Sequence, residues 1–166
     1  TTLFRSLILI RHAKSSWDAP VQDIDRSISA KGVKNAHLIA AKTVSILPKS
    51  YIVWSSIAKR TRETAYIFSQ YLSIPIETIH FSDELYTFDQ KKLHLAIKKC
   101  KNEHNNLILF GHNEAITNFV NKFGDLKIDN VPTSGVVAIE FDSNDWSNLG
   151  KGKTIKTLFP SHFKDE

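Results

Sequence analysis

The chain alternates short apolar runs with longer segments in which apolar residues recur at helical spacing. Short apolar runs are typical of buried strands and the longer patterns of amphipathic helices, and their alternation indicates a parallel sheet covered by helices. We therefore expect an α/β fold, a three-layer α/β/α sandwich with a mainly parallel central sheet. The predicted strands are Leu7–Ile10, Tyr51–Trp54, Ile76–Phe81, Leu107–Phe110, Val136–Phe141 and an edge strand over Thr154–Phe159.

Helix caps and apolar faces predict four helices between these strands. They are Ala30–Ile46 with Ser29 as its N-cap, a helix from Ser55 or Ser56 to before Pro75, a helix after the N-cap Asp89, and Ala115–Phe123. The first of them carries Val33, Ala36, Ile39, Ala40 and Val44 on one face. Because neither an internal repeat nor a proline-rich linker divides the 166 residues, we expect a single domain over residues 1–166.

The net charge of +5 and the pI near 9.3 predict an attraction to anions. The lysines are scattered, and neither an RNA-binding aromatic signature nor zinc-finger spacing accompanies them, so a phosphorylated ligand is a simpler expectation than nucleic acid or a membrane. Cys100 is the only cysteine, which leaves neither a disulfide nor a thiolate metal cage. With no secretion signal or bilayer-length apolar run, we expect a cytoplasmic protein.

Candidate chemistry follows three of the predicted strands. Arg11 and His12 come directly after the first strand, Arg60 lies shortly after the second, and His112 follows the strand that ends at Phe110. Because ligands of open parallel sheets bind beyond the carboxyl ends of the strands, these side chains should meet in one crevice. Arginine forks pair with phosphoryl oxygens and a neutral imidazole can attack phosphorus, so the set suits phosphoryl transfer.

Four segments carry a family resemblance. They are residues 9–17 (LIRHAKSSW), 25–32 (DRSISAKG), 55–65 (SSIAKRTRETA) and 110–116 (FGHNEAI). In this order they resemble the motifs of the histidine phosphatase superfamily, with its phosphoglycerate-mutase-like fold, and especially the short SixA-type phosphohistidine phosphatase branch. The likeness reaches from residue 7 to beyond residue 116.

The resemblance implies a role for each matching residue. His12 is the nucleophile that becomes phosphorylated, and Arg11, Arg60 and His112 hold the phosphoryl oxygens. Ser15 is a further candidate phosphate ligand. Fixed cations of this kind stabilise the transferring group, so we expect neither a metal nor another cofactor. His12 must present a neutral nitrogen, and its other ring nitrogen should donate to a backbone carbonyl or a carboxylate.

The general acid and the substrate stay open at this point. Larger members of the family place a glutamate after the third strand, and Glu84 is our candidate, with Asp83 and Asp89 behind it. An alkoxide leaving group needs such an acid, whereas an imidazole needs less help. The alternatives are therefore a phosphohistidine phosphatase, a small-molecule phosphomonoesterase and a phosphate-binding module without turnover, and a mutase is disfavoured by the short chain.

Residues beside these motifs keep two interpretations each. Asp25 and Arg26 either pair within the loop before the first helix or contact substrate at the rim of the crevice. Trp17 either packs that loop or contacts substrate. The sequence predicts neither the natural substrate nor the oligomeric state.

Overall fold

The central sheet has six strands in the computed structural model, which describes residues 4–163. The order across the sheet is β3-β2-β4-β1-β5-β6. Strands β3, β2, β4 and β1 are mutually parallel, and β5 runs antiparallel to both β1 and β6. The mainly parallel sheet is thus confirmed. The strands are β1 (Phe4–Arg11), β2 (Ile52–Ser56), β3 (His80–Ser82), β4 (Asn106–Gly111), β5 (Val136–Asp142) and β6 (Lys153–Leu158).

Four α-helices lie at the predicted places in the chain. They are α1 (Ala30–Thr43), α2 (Lys59–Leu72), α3 (Gln90–Lys98) and α4 (Ala115–Phe123). Two of the predicted caps are confirmed, because Ser29 accepts a hydrogen bond from the Gly32 N–H and Asp89 accepts one from the Lys92 N–H. Each cap satisfies a backbone donor that the first helical turn cannot pair.

Alternate side chains of the strands point to opposite faces of the sheet and divide the apolar core in two. In β1, Leu7 and Leu9 pack with residues of α3 and α4, whereas Ile8 and Ile10 pack with residues of α1 and α2. The sheet therefore has two helices on each face, which confirms the three-layer sandwich. Across residues 4–163, no helix combines the length and the apolar character that crossing a membrane requires.

Three details of the predicted elements are wrong. Val33 and Val44 are exposed, because the buried stripe of α1 runs through Gly32, Ala36, Ile39, Ala40 and Thr43. The predicted strand Ile76–Phe81 begins instead with a 3-10 turn over Ile76–Thr78, in which the Thr78 N–H and hydroxyl both bond to the Pro75 carbonyl. Ser55 and Ser56 end β2, and α2 begins at Lys59.

The strand order brings the functional strand ends together. Strand β4 lies between β2 and β1, so the carboxyl ends of these three parallel strands are neighbours at one edge of the sheet. His12 and His112 directly follow β1 and β4, Ser56 is the last residue of β2, and all three are buried. A crevice at this edge is the expected ligand site of such a sheet.

Candidate active site

The two histidines at the ends of β1 and β4 face each other. Their ring centroids are 5.2 Å apart. The backbone fixes this approach, because the His12 N–H donates to the Gly111 carbonyl at 3.0 Å, one residue before His112. The parallel pairing of β1 with β4 therefore positions both imidazoles.

Hydrogen bonds define the tautomer of His12. Its Nδ1 lies 2.7 Å from the Ala13 carbonyl oxygen, which can only accept, so Nδ1 carries the proton. The sequence could not name this acceptor. Nε2 is then unprotonated, and Arg60 Nε donates to it at 3.4 Å. His12 thus presents a lone pair beside a guanidinium, as a nucleophile towards phosphorus requires.

Burial and nearby cations keep both imidazoles neutral. Burial lowers the pKa of His12 to about 4, against the hydrogen bond to Ala13, and the charges of Arg60, Arg11 and Arg26 act in the same direction as burial. Burial, with His12 and Arg60 next in importance, lowers the pKa of His112 to about 2. Neutral rings at physiological pH leave the positive charge of the crevice to its arginines.

Arg60 is fixed by a residue that the sequence analysis did not single out. Its Nη1 donates to the backbone carbonyl of Asp23 at 2.6 Å, and its Nη2 donates to Asp23 Oδ2 at 3.1 Å. Arg60 is 2% exposed, so these bonds hold a buried guanidinium in a single orientation. Asp23 sits in a 3-10 turn between β1 and α1 and contacts α2 through Arg60.

Asp23 also accepts a short hydrogen bond from the Tyr86 hydroxyl. Burial alone would raise the pKa of Asp23, but the hydrogen bonds from Tyr86 and Arg60 and the charges of Arg60 and Arg26 outweigh it and lower the pKa. Burial and the bond to Asp23 raise the pKa of Tyr86. Asp23 is therefore a stable carboxylate that accepts hydrogen bonds, and Tyr86 is a phenol that keeps its proton.

His112 is held by hydroxyl groups on one side and aromatic rings on the other. Ser56 Oγ lies 2.8 Å and Thr61 Oγ1 3.3 Å from its Nε2. The rings of Tyr86 and Phe88 each approach its ring edge-on, with centroids 5.4 Å away. Ser56 already accepts from the Ala58 N–H, which favours its own proton pointing to Nε2. His112 would then carry its proton on Nδ1.

Three of the seven buried side-chain atoms that have no hydrogen-bond partner in the described part of the chain belong to residues of the crevice. Among the described residues, Arg11 Nε, Arg26 Nη1 and His112 Nδ1 are buried and have no hydrogen-bond partner. Arg11 is otherwise held by its Nη1, which donates to the Val131 carbonyl at 2.8 Å. A buried donor left unpaired costs about 1–3 kcal/mol, so unpaired donors on neighbouring residues are typical of a binding site.

The structure brings together four of the six residues proposed from the sequence. His12, Arg11, Arg60 and His112 share the crevice. Glu84 does not join them in any contact that the described residues make; its half-exposed carboxylate accepts from Lys99 Nζ at 2.8 Å, in a groove with Trp54 and His80. Ser15 pairs through its backbone with Ile28, and the role of its hydroxyl stays a prediction.

The residues missed by the sequence analysis are Asp23, Ser56, Thr61, Tyr86 and Phe88. Tyr86 lies two positions after Glu84. The sequence therefore indicates the right segment but the wrong side chain within it. An aromatic or acidic loop residue carries no periodic signal, and only its place beside a recognised motif could have indicated it. Within residues 4–163, no group of three or more histidine, cysteine, aspartate or glutamate side chains is arranged to hold a metal ion.

A crevice with two neutral histidines and fixed arginines beyond parallel strands has the chemistry that phosphoryl transfer requires. The sequence agrees, because the profile of the Histidine phosphatase superfamily (branch 1) matches residues 7–88. Residues 7–88, about half of this chain, thus match the histidine phosphatase superfamily. An uncharacterised chloroplastic protein of Arabidopsis thaliana is 43% identical over 65 residues, which cover 39% of this chain and only 30% of that protein.

Solved structures show the same fold. The SixA protein from Nakamurella multipartitia superposes with a TM-score of 0.80 at 20% identity, covering 95% of this chain and 96% of the other. The protein histidine phosphatase SixA in complex with tungstate also gives a TM-score of 0.80, at 18% identity and with coverage of 96% and 99%. The expected likeness to the SixA branch is thus confirmed for the fold.

Proposed function

We propose that this protein is a metal-independent phosphatase of phosphohistidine that forms a phosphohistidine intermediate on His12. The observation that carries the proposal is the tautomer of His12, whose Nδ1 proton is bound by the Ala13 carbonyl while Nε2 faces Arg60. The SixA fold supports the substrate class by analogy only. A cytoplasmic location remains a prediction.

In the first step, His12 Nε2 attacks the phosphorus of the substrate. A new N–P bond forms as the N–P bond of the substrate breaks, and Ala13 holds the proton of the phosphorylated His12 ring. A substrate imidazole that carries a proton on its other nitrogen leaves as a neutral ring. Arg11, Arg60 and His112 stabilise the charge on the transferring oxygens, which fixed donors do without reorganising.

In the second step, water attacks the same phosphorus. The bond to His12 Nε2 breaks, dihydrogen phosphate leaves and His12 returns to its neutral form with the proton still on Nδ1. The two half-reactions use the same groups. Neither requires a proton from a carboxylic acid when the leaving group is an imidazole.

The state of Asp23 bears on the choice of substrate. This carboxylate is ionised and fully engaged by Arg60, Arg26 and Tyr86, so it is unsuited to protonate an alkoxide. The alternative, a small-molecule phosphomonoesterase, would depend on the Tyr86 phenol as the acid, whose raised pKa weakens it. The exposed rings of Trp17 and Phe88 offer apolar contacts to a protein that carries phosphohistidine.

The test is phosphate release in the presence of a chelator, from a phosphohistidine protein and from a panel of alkyl and aryl phosphates. We expect release from phosphohistidine to exceed release from alkyl phosphates and to stop in His12→Ala. The matched control is His37→Ala, since His37 bonds to Tyr71 on the surface. Alkaline quenching should trap a phosphoenzyme that is stable in base and labile in acid.

Other outcomes would redirect the proposal. Release from small esters alone would make the protein a phosphomonoesterase. Phosphate binding with no release from any substrate would make it a binding module. Release that depends on an added divalent metal would overturn the metal-independent mechanism.

A further inference from the structure

Arg26 is a buried arginine beside the crevice that none of the steps above uses. It follows the 3-10 turn Asp23–Asp25 and is 7% exposed. Its Nε donates to Asp23 Oδ1 at 3.2 Å, and its Cζ lies 3.4 Å from the ring centroid of Trp17. Trp17 covers one face of the guanidinium. The indole ring is itself 76% exposed, so little else holds Trp17. The position of Arg26 is therefore well defined.

The remaining donors of Arg26 are not used within the described part of the chain. Nη1 is buried without a hydrogen-bond partner, as are Arg11 Nε and His112 Nδ1. The charges of Arg11 and Arg26 both act on His12, and the ring of His112 faces the ring of His12. A guanidinium buried with a free donor is costly, and the cost is recovered when an anion accepts from it.

The charge balance of the crevice also points to Arg26. Arg11, Arg26 and Arg60 provide three positive charges, and both histidines are neutral. The carboxylates of Asp23 and of Glu114, which acts on Arg11, offset two of these charges. Arg26 therefore supplies the positive charge that remains for a phosphoryl group. The cation of Arg26 lies near enough to His12 to contribute to its lowered pKa, together with burial and the two other arginines.

We propose that Arg26 is a third arginine ligand of the phosphoryl group, with Nη1 donating to a phosphoryl oxygen while Nε stays on Asp23. This proposal rests on the phosphoryl site proposed above and adds a residue to it. Trp17 shields the guanidinium from water, which strengthens a charge-assisted contact. Asp23 then holds two arginines at once, Arg60 through Oδ2 and Arg26 through Oδ1.

The experiment measures the binding of inorganic phosphate and of tungstate to the full chain by calorimetry. Arg26→Gln should weaken both by on the order of tenfold to a hundredfold, as for a lost charge-assisted hydrogen bond, and Arg26→Lys should weaken them less. The matched control is Arg62→Gln. Arg62 lies on α2, the helix that carries Arg60, but it donates to the Ile57 carbonyl. This variant should bind within about twofold of the unsubstituted protein.

A second readout separates a ligand from a residue that only supports Arg60. If Arg26 acts through Asp23 alone, Arg26→Gln should have no further effect in an Asp23→Asn background. A direct ligand should weaken binding in both backgrounds and should also flatten the rise in phosphate affinity as the monoanion becomes the dianion. Emission from Trp17 should change on tungstate binding and lose this response in Arg26→Gln.

Three results would overturn the proposal. They are unchanged anion binding in Arg26→Gln, an effect that vanishes in Asp23→Asn, and no binding of either anion to the unsubstituted protein. Turnover of phosphohistidine by the unsubstituted protein is measured in parallel. Anion binding that needs Arg26 but comes without turnover would contradict the phosphatase function and leave the role of Arg26 standing.

Discussion

At the scale of single residues, burial and three arginine charges act on His12 in the same direction. Desolvation disfavours the imidazolium, and Arg60, Arg11 and Arg26 repel it. The hydrogen bond from Nδ1 to the Ala13 carbonyl opposes them, because it raises the pKa of the ring. The neutral ring also makes this bond, since it keeps the proton on Nδ1 and has none on Nε2. The ring is therefore kept neutral without losing its orientation.

This balance predicts that His12 stays neutral well below its usual titration range. With a pKa of about 4, His12 should be about 90% neutral at pH 5, whereas an unperturbed histidine would be almost wholly protonated. Nuclear magnetic resonance of histidine-labelled protein measures this, with His12→Gln to assign the signal. A midpoint near 6.5 for that signal would show that the three arginine charges and burial do not act as described.

The contrast between two carboxylates gives a second prediction. Asp23 orients Arg60 and Arg26, whereas Glu84 pairs with Lys99 on the surface. Asp23→Asn should lower kcat/KM by about tenfold or more, because Arg60 and Arg26 lose a charged acceptor. Glu84→Gln should stay within about twofold, as expected for an exposed ion pair.

Steady-state kinetics with phosphohistidine and with an aryl phosphate checks both variants. A large loss in Glu84→Gln confined to the poorer leaving group would return Glu84 to the role of general acid. It would also require the segment around Tyr86 to rearrange when substrate binds.

At the scale of elements, the loop after β1 is fixed by the two helices on one face of the sheet. The Ala13 N–H donates to Thr64 Oγ1 of α2 at 2.9 Å, and the Lys14 carbonyl accepts from the Ser29 N–H at 2.8 Å. Gly32 of α1 packs on that carbonyl, and a Cβ there would lie 2.2 Å from the Lys14 oxygen. The acceptor of the His12 proton is thus held from both sides.

Gly32→Ala should accordingly affect both stability and activity. The added methyl group must displace the Lys14 backbone or the start of α1, at a cost of about 1–3 kcal/mol in the free energy of unfolding. The displacement should reach Ala13 and lower kcat. Urea unfolding and steady-state kinetics measure the two effects, with the exposed Lys31→Ala as control. A destabilised protein with unchanged kcat would show that the shift stops before Ala13.

The elements also show what the sequence could predict. Strands β1 and β4 are buried on both faces, which imposes a continuous apolar run that is visible in the sequence. Strand β3 has only three residues and lies at the edge of the sheet beside β2, so the sequence pattern does not mark its boundaries. The helix caps Ser29 and Asp89 were predictable because a cap is a local interaction.

The site divides in the same way. His12, Arg11, Arg60 and His112 lie at strand ends or near the start of a helix and within motifs, so the parallel sheet predicts that they meet. Asp23 meets Arg60 across 37 positions and Tyr86 across 63, and such loop contacts depend on the packing of the whole chain. The sequence predicts Ser56 as a possible helix start, because a serine at this place suits a helix N-cap as well as a hydrogen bond to a histidine of the site.

At the scale of the whole molecule, the buried histidines link the stability of the fold to pH. His12 and His112 have pKa values below that of an unfolded histidine, about 6.5, so the unfolded chain binds more protons than the native one as the pH falls. Their contribution is present above pH 6.5 and is lost as the pH falls, down to about 4 for His12 and to about 2 for His112. Asp23 and Asp145 also have lowered pKa values, but their losses come below the usual pKa of aspartate.

We therefore expect the free energy of unfolding to fall by about 2 kcal/mol for each of the two histidines between pH 7.5 and pH 5. Urea unfolding at several pH values measures this slope. His112→Gln should make it shallower whatever its effect on absolute stability, because a glutamine binds no proton in either state. The matched control His37→Gln removes a surface histidine and should leave the slope due to His12 and His112 in place. Equal unfolding free energies at pH 7.5 and pH 5 would contradict the neutral, buried state of both rings, and with it the nucleophile on which the phosphatase mechanism depends.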